Sequence, residues 1–384
     1  MMNWGASNTS GWGILGLNLF SQWANDSDIA PQMGYALGNE SFQFVDPLRL
    51  RHISNAIVAS NEYLDSLGGR FGPEVILPVT TIDPLGNGFD PSPVHGRRNI
   101  GRCIFESTNF PQLDTKLGKY DALVCGSNWN AELLRAQTDL DVTVILEGVD
   151  PSLFCPGPKS GLLDPDRFYI FSGGKVEFRK GQDLVLLAFR EFSRTHPDAC
   201  LVTAWHSPWP DLAAGFKGYL DAPLGLDGSG RLDIKQWAVD NGIDPSCFIE
   251  IMLIPNPLMP TILREMDVVL QPSRAEACTN LPVKEAMGCG IPAIVSDNTG
   301  MKDLITGDNC VVLHRQDPIP DGKIWGYQGW GESSVDEIVE ALEMLYSDPQ
   351  RRRKIGRTAS EWVHANRTWK RHAAELKKFA LALE

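Results

Sequence analysis

The feature that most restricts the fold is an alternation. Short apolar runs of strand length recur along the chain, and segments with apolar residues at helical spacing lie between them. Strands that cross over through a helix before pairing again lie parallel, so this alternation predicts α/β units around parallel sheets. The first runs are Val75-Ile76-Leu77, Cys103-Ile104-Phe105, Ala122-Leu123-Val124-Cys125 and Val142 to Leu146. Glu147-Gly148-Val149-Asp150-Pro151 and a Pro/Gly-rich stretch through Pro158 and Gly161 follow. The pattern restarts at Phe168-Tyr169-Ile170-Phe171 and continues through Cys200 to Trp205, Phe248 to Leu253, Asp267 to Leu270, Pro292 to Val295 and Cys310 to Leu313. A chain of 384 residues exceeds one ordinary core, so the Pro/Gly break is read as a domain boundary. The expected division is a first domain over 1–150, a second over 151–365 and a last helix over 366–384. The stretch Gln316 to Ser334, rich in Pro, Gly and Trp, reads as a long surface loop.

Composition narrows the function classes. The net charge of −13 opposes general nucleic-acid binding, whose footprint is a basic surface. No run of 18 apolar residues occurs, and Met1-Met2-Asn3-Trp4 lacks the basic start of a secretory signal. Eight cysteines lie at wide spacing with no CxxC pair, which predicts reduced, buried thiols in a cytoplasmic protein. Arg351 to Lys378 is basic; a solvated helix face and a weak peripheral contact with a membrane are its two readings.

The chemistry is most legible from Pro272 to Gly290. An apolar strand, Asp267 to Leu270, leads into a turn and then a short helix. Pro282 suits the first helical turn, and Thr279 or Asn280 can cap it. Such a helix start presents free N–H groups and a partial positive charge to a pyrophosphate. Glu285 stands near that first turn, where its two oxygens fit the two hydroxyls of a ribose. Glu276, on the loop before the helix, is placed to touch what hangs from the phosphate. A second constellation, Ser172-Gly173-Gly174-Lys175-Val176-Glu177-Phe178-Arg179-Lys180-Gly181, follows the strand that opens the second domain. Glycines such as Gly174 let a backbone approach a ligand, and Lys175, Arg179 and Lys180 supply cations for a leaving diphosphate.

The segment Glu285-Ala286-Met287-Gly288-Cys289-Gly290-Ile291-Pro292 resembles the second half of the acidic-pair motif of glycosyltransferase family 4, the retaining group 1 glycosyl transferases. The first half departs from it. Eight residues separate Glu276 from Glu285 where the family usually has seven, and Cys278-Thr279-Asn280 replaces the common Phe-Gly. The resemblance implies a GT-B fold, in which two Rossmann-like domains face a central cleft. It implies transfer of a hexosyl group from a nucleoside diphosphate sugar, UDP- or GDP-linked, to an acceptor hydroxyl on a glycan, lipid or small molecule. The donor is then a substrate, with no permanently bound cofactor and no metal. Lys175 and Lys180 match the family's diphosphate-binding loop. Glu276 would hold the transferred sugar and Glu285 the ribose. Backbone groups of Cys278, Thr279, Asn280 and Leu281 would meet the phosphates. The last helix would pack back on the first domain.

The first domain is less explicit. Ser10-Gly11-Trp12-Gly13-Ile14-Leu15-Gly16 satisfies GxGxxG, but no acidic residue ends a second strand ~20 residues on, so a dinucleotide site is disfavoured. The resemblance reads Gly11 and Gly13 as a turn facing the cleft. Glu106 closes a strand and so points at the ligand crevice, where it contacts donor or acceptor or forms a structural salt bridge. His95 is the nearest candidate for the family's cleft histidine. His206 lines the nucleotide pocket or caps a loop, and Trp205, Trp209, Trp325 and Trp330 stack on a sugar or base or serve as core and loop anchors. Asp139-Leu140-Asp141 and Asp164-Pro165-Asp166 read as surface turns. A sugar-nucleotide epimerase, a non-catalytic nucleotide-sugar binder and, least favoured, a dehydrogenase are the alternatives.

Overall fold

The computed structural model describes residues 1–68, 79–82, 96–319 and 326–383, with only the backbone of 79–82. The first sheet contains β1 (Met2–Asn3), β2 (Val79–Ile82), β3 (Asn99–Cys103), β4 (Ala122–Cys125) and β5 (Asp141–Val144), parallel and in that spatial order. Met33 bridges to Met2 in parallel, so β1 is flanked by Met33 on one side and β2 on the other. The second sheet contains β6 (Phe168–Lys175), β7 (Ala199–His206), β8 (Phe248–Glu250), β9 (Val268–Gln271), β10 (Ala293–Ser296) and β11 (Val311–Leu313). Its spatial order is β11-β10-β9-β6-β7-β8, again all parallel. The chain runs outward from β6 through β7 to β8, then returns to β9 on the other side. The reversal therefore lies between β6 and β9, and a crevice opens beyond the carboxyl ends of strands at such a point. The molecule is α/β with two Rossmann-like domains, the GT-B architecture.

The apolar runs form strands because both faces of the second sheet are covered. Alternate residues enter opposite cores. Phe168, Ile170, Leu201, Val268, Leu270 and Ile294 pack with the helices Gln182–Ser193 and Val335–Ser347. Tyr169, Phe171, Val202, Val269 and Val295 pack with the helices Leu281–Gly288 and Pro349–Asn366. The first sheet is treated likewise: Ile100 and Val124 face the helix Gly11–Trp23, while Leu123 and Cys125 face the helix Asn128–Arg135.

Two local readings need correction. Cys103 ends β3, so Ile104 and Phe105 lie past the strand; Phe105 is buried among Phe110 and Trp129 instead. Gln316 to Ser334 is not a simple surface loop. Its ends pair antiparallel as β12 (Gln316–Asp317) and β13 (Glu332–Ser333), and residues 326–330 reach the first domain. There Thr108 N donates to Gly326 O at 2.9 Å, and the Trp330 indole donates to Glu106 O at 2.9 Å. Trp330 and Gly326 there serve close contact rather than solvation. The run Val75-Ile76-Leu77, His95 and Trp325 lie outside the described residues.

The final helix, Trp369–Ala382, leaves the second domain and joins the first domain's core through Trp369, Ala373 and Leu376. The two chain crossings lie side by side: Val149 N donates to Arg367 O and Trp369 N to Val149 O. Gly148 permits this, because a Cβ there would stand 2.2 Å from the Thr368 carbonyl carbon.

Candidate functional site

A cavity of about 1200 Å³ lies between the domains, at the carboxyl end of β6 and its neighbours. Three pieces of the second domain converge on it. The first is the end of β6. Gly174 has φ 124°, a conformation that favours glycine. The tight turn Phe178–Lys180 follows and closes on Gly181 at φ 71°. A Cβ on Gly181 would lie 2.4 Å from Pro272 O, so the basic turn presses against the start of the acidic loop. The second piece is that loop. Arg274 N donates to Arg179 O at 2.7 Å, which fastens the two loops together. The third is the helix Leu281–Gly288, whose cap Asn280 accepts from Val283 N at 3.1 Å.

Glu276 is the centre of the arrangement. It is buried, and its carboxylate accepts from Lys180 Nζ at 2.7 and 2.9 Å, Arg179 at 3.2 Å, Ser273 Oγ at 2.7 Å and Asn280 Nδ2 at 2.8 Å. Burial alone would raise its pKa; Lys180 and Arg179 overcome that and hold it below the ordinary value. Lys180 is itself pulled down by burial and by the Arg179 charge. Arg179 also pairs with Glu177 at 2.6 Å and, across the cleft, with Glu106 at 3.3 Å; these carboxylates raise its pKa against the effect of burial. Glu106 thus forms the salt bridge that one of its readings expects, and it also lines the cavity.

Glu285 is buried one turn into the helix, accepts from Asn256 Nδ2 and lines the cavity. Burial raises its pKa to about 8, against the lowering effects of Asn256 and Lys284. Thr279 is buried, and its Oγ1 has no hydrogen-bond partner among the described residues. Cys278 lines the cavity with its thiol pKa raised by burial, and its Sγ fills the space a side chain on Gly126 would need. Leu281 packs on the first domain's core and stands 3.7 Å from where a Gly11 Cβ would lie.

Several expected placements change. Lys175 does not converge on Glu276 with Lys180. Its Nζ pairs with Glu177 at 2.6 Å and sits 5.6 Å from the centre of the Trp209 ring, farther along the cavity. Gly11 lines the cavity, but Gly13 does not: its amide is taken by the Ser10 hydroxyl, and a Cβ there would strike Ser7 Oγ. Gly13 is a packing glycine. His206 lines the cavity with its pKa lowered by burial, whereas Trp205 is a core residue whose indole donates to Ser172 Oγ at 3.2 Å.

Sequence reasoning missed Arg274. Its buried guanidinium holds Asp183 through both oxygens at 2.7 and 2.8 Å, Glu332 at 2.6 Å and Phe178 O at 2.7 Å, over the Phe178 ring. It also missed Asn256, and contacts that join the domains: Lys284 to Glu147 at 3.2 Å, Ser127 Oγ to Ala277 O at 2.6 Å, and Asn128 to both oxygens of Asp303. No local pattern pairs residues so far apart. The signal available was a lysine, Lys284, inside an otherwise buried helix face.

No helix among the described residues is long and apolar enough to cross a membrane. Within the basic C-terminal stretch, Arg352 pairs with Asp267, Arg371 with Glu375, and Lys377 with Asp26 and Asp28.

Comparison with known proteins gives related answers for sequence and fold. Residues 250–378 match a family model described as glycosyl transferase-like. The chain is 26% identical over 196 residues to the lipopolysaccharide core biosynthesis mannosyltransferase LpsB of Rhizobium meliloti, covering 49% of each chain. It is 27% identical over 243 residues to a D-inositol 3-phosphate glycosyltransferase of Paenarthrobacter aurescens, covering 62% of this chain and 50% of the relative. These matches thus span about half the length of the curated relatives. In fold, the chain is similar to the sucrose-phosphate synthase of Thermosynechococcus elongatus, with TM-score 0.65, 16% identity and coverage of 99% and 95%. It is similarly close to HepE of Anabaena, solved with UDP and glucose, with TM-score 0.66, 12% identity and 98% coverage of each chain.

Proposed function

We propose that this chain is a retaining glycosyltransferase of family 4 that moves a hexosyl group from a UDP- or GDP-sugar to an acceptor hydroxyl in the cytoplasm. The observation that carries the reading is the convergence of Lys180, Arg179 and the helix start at Asn280–Leu281 on one corner of the cleft, with Glu276 between them and Glu285 behind. A diphosphate placed there meets two buried cations and the helix N–H groups. These groups stabilise the negative charge that grows as the glycosyl bond breaks, and such preorganised charge stabilisation commonly lowers an enzymatic barrier more than any other effect. The diphosphate competes with Glu276 for Lys180 and Arg179, which frees the Glu276 oxygens for the hydroxyls of the sugar. Glu285 holds the ribose, and Glu106 reaches the reacting sugar or the acceptor from the opposite wall. Closure over these groups excludes water and limits hydrolysis. The similarity to named sugar transferases supports glycosyl transfer, and the resemblance to the acidic-pair motif supports retention.

A thermal-shift panel of UDP-, GDP- and ADP-sugars tests this. A ligand at ~100 times its Kd stabilises the fold by about 2.7 kcal/mol, an easily read shift. No shift with any donor would sink the proposal, and donor turnover without an acceptor would redirect it to an epimerase. For the active donor, Lys180→Ala is expected to lower kcat about 10²-fold or more, because it removes a preorganised cation from the departing diphosphate. Unchanged turnover would remove Lys180 from that role.

A further inference from the structure

The helix Leu281–Gly288 buries a lysine. Lys284 has no exposed side-chain surface, and its neighbours Val283, Ala286 and Met287 belong to the second domain's core. A leucine or methionine would serve packing there. The Lys284 ammonium is instead taken out of water, which lowers its pKa against the attraction of Glu147. The Glu147 carboxylate accepts from Lys284 Nζ at 3.2 Å and is buried as well. By contrast, Glu106 and Arg179, which also pair across the cleft, stay partly exposed. A buried ion pair adds little to stability, since desolvation offsets the attraction; its best-attested use is to fix one register between the surfaces that carry it.

The two charges sit where register matters most. Glu147 directly precedes Gly148, at the first crossing of the chain between the domains. The second crossing lies beside it: His372, early in the final helix, directs Nδ1 to Leu146 O at 2.9 Å. Burial and the Arg102 charge lower the pKa of that ring to about 3, so it stays neutral. Arg102, from β3, is buried nearby and donates to Ile145 O at 3.4 Å. On the other side, Lys284 is followed directly by Glu285, on the helix whose start forms the phosphate corner. The pair therefore joins the pivot of the first domain to the helix that carries the ribose candidate. A shift at a pivot grows with distance from it, so the spacing of Glu106 from Glu276 and Arg179 depends on where Lys284 meets Glu147.

We propose that Lys284 is a positioning residue: paired with Glu147 at the pivot, it sets the closed angle of the two domains and so aligns Glu106 with a donor held on the second domain. An apolar contact would keep the domains joined but let them slide, whereas the charge pair is satisfied at one alignment. The role in transfer rests on the glycosyltransferase reading of the cleft; the alignment itself does not.

The variant that tests this replaces both charges by apolar groups, Lys284→Met with Glu147→Leu, because either single change strands a buried charge and can unfold the chain. Two backbone amides report the alignment: Asn256 N donates to Asn8 O at 2.8 Å and Thr108 N to Gly326 O at 2.9 Å, each from one domain to the other. In the double variant of the full chain, hydrogen exchange is expected to be faster at these two amides and unchanged in β6 and in the helix Gly11–Trp23, with a melting temperature no lower than wild type. For the active donor, affinity for its nucleoside diphosphate should stay equal while kcat falls ~10²-fold, the cost of displacing reacting groups by about 1 Å. Wild-type exchange at both amides in the folded double variant overturns the proposal, whatever the rate of transfer. Faster exchange with wild-type kcat overturns the positioning role. Loss of nucleotide affinity in step with kcat overturns it too, because the variant would then have damaged the donor site itself. A wild type that binds neither UDP, GDP nor ADP removes the glycosyltransferase reading and the role in transfer with it, while faster exchange at Asn256 and Thr108 would still uphold the alignment.

Discussion

At the scale of single residues, the two glutamates show what spacing can and cannot reveal. Glu276 and Glu285 were legible because a strand, a cap and a proline fix where a helix starts, and the start fixes which side chains face a ligand. Their environments were not legible. Glu276 gains its cations from a turn nearly a hundred residues earlier, and Glu285 gains Asn256 from another loop. The outcome is opposite protonation: Glu276 is kept ionised by Lys180 and Arg179 despite burial, whereas burial takes Glu285 from an ordinary 4.5 to about 8. Between those two pH values the folded chain keeps a proton on Glu285 that the unfolded chain has released. Stability therefore falls as pH rises through that window. Glu285→Gln removes this slope, so its melting temperature relative to wild type should climb from about pH 5 to about pH 8. A constant difference across that range would show that Glu285 titrates normally. Lys175 carries the converse lesson. Its position beside Gly174 predicts a phosphate contact, and only the neighbouring Glu177 and Trp209 draw it elsewhere.

At the scale of elements, strands were the easiest part to read, since parallel strands buried on both faces must be apolar throughout. The run Ala122 to Cys125 is β4 without adjustment. The stretch after β11 was the hardest, because Gly, Pro and Trp serve a solvated loop and an interdomain strap equally well. What joins that strap to the site is Arg274. One guanidinium ties Asp183 in the helix after the basic turn, Phe178 O in the turn itself and Glu332 in β13. Arg274 and Asp183 are both fully buried, so removing one leaves the other charged and without its main partner. Arg274→Ala is expected to cost about 3–5 kcal/mol in urea unfolding, whereas an apolar pair, Arg274→Met with Asp183→Leu, should cost less than the single change. If the double variant loses the sum of both single losses, the two charges act independently and the tie between the loops lies elsewhere.

At the scale of the whole molecule, the sheet order could not be read from the strands, yet it decides where the chemistry sits. The reversal between β6 and β9 brings the Gly174 and Glu276 loops together, although they are about a hundred residues apart in sequence. The relation between the domains depends on a second long-range feature. The chain crosses between them at Gly148–Val149 and again at Arg367–Trp369, and these crossings hydrogen-bond each other. Any opening of the cleft must therefore bend both at once, with the final helix carried as part of the first domain. That helix is more than a surface addition. Trp369 is buried in the first core, the Trp23 indole donates to Ala373 O at 3.2 Å, and Lys377 pairs with Asp26 and Asp28. Replacing a buried tryptophan by alanine costs about 3–5 kcal/mol through lost contacts and the cavity left behind. Because Trp369 belongs to the first core although the preceding helix, Pro349–Asn366, packs on the second, Trp369→Ala should loosen the first domain selectively. Hydrogen exchange is expected to show faster amides in the helix Gly11–Trp23, with β6, β9 and β10 unchanged. Uniform loss of protection in both domains would mean that the crossing couples them into one unfolding unit. Unchanged protection in Gly11–Trp23 would mean that the last helix does not support the first core.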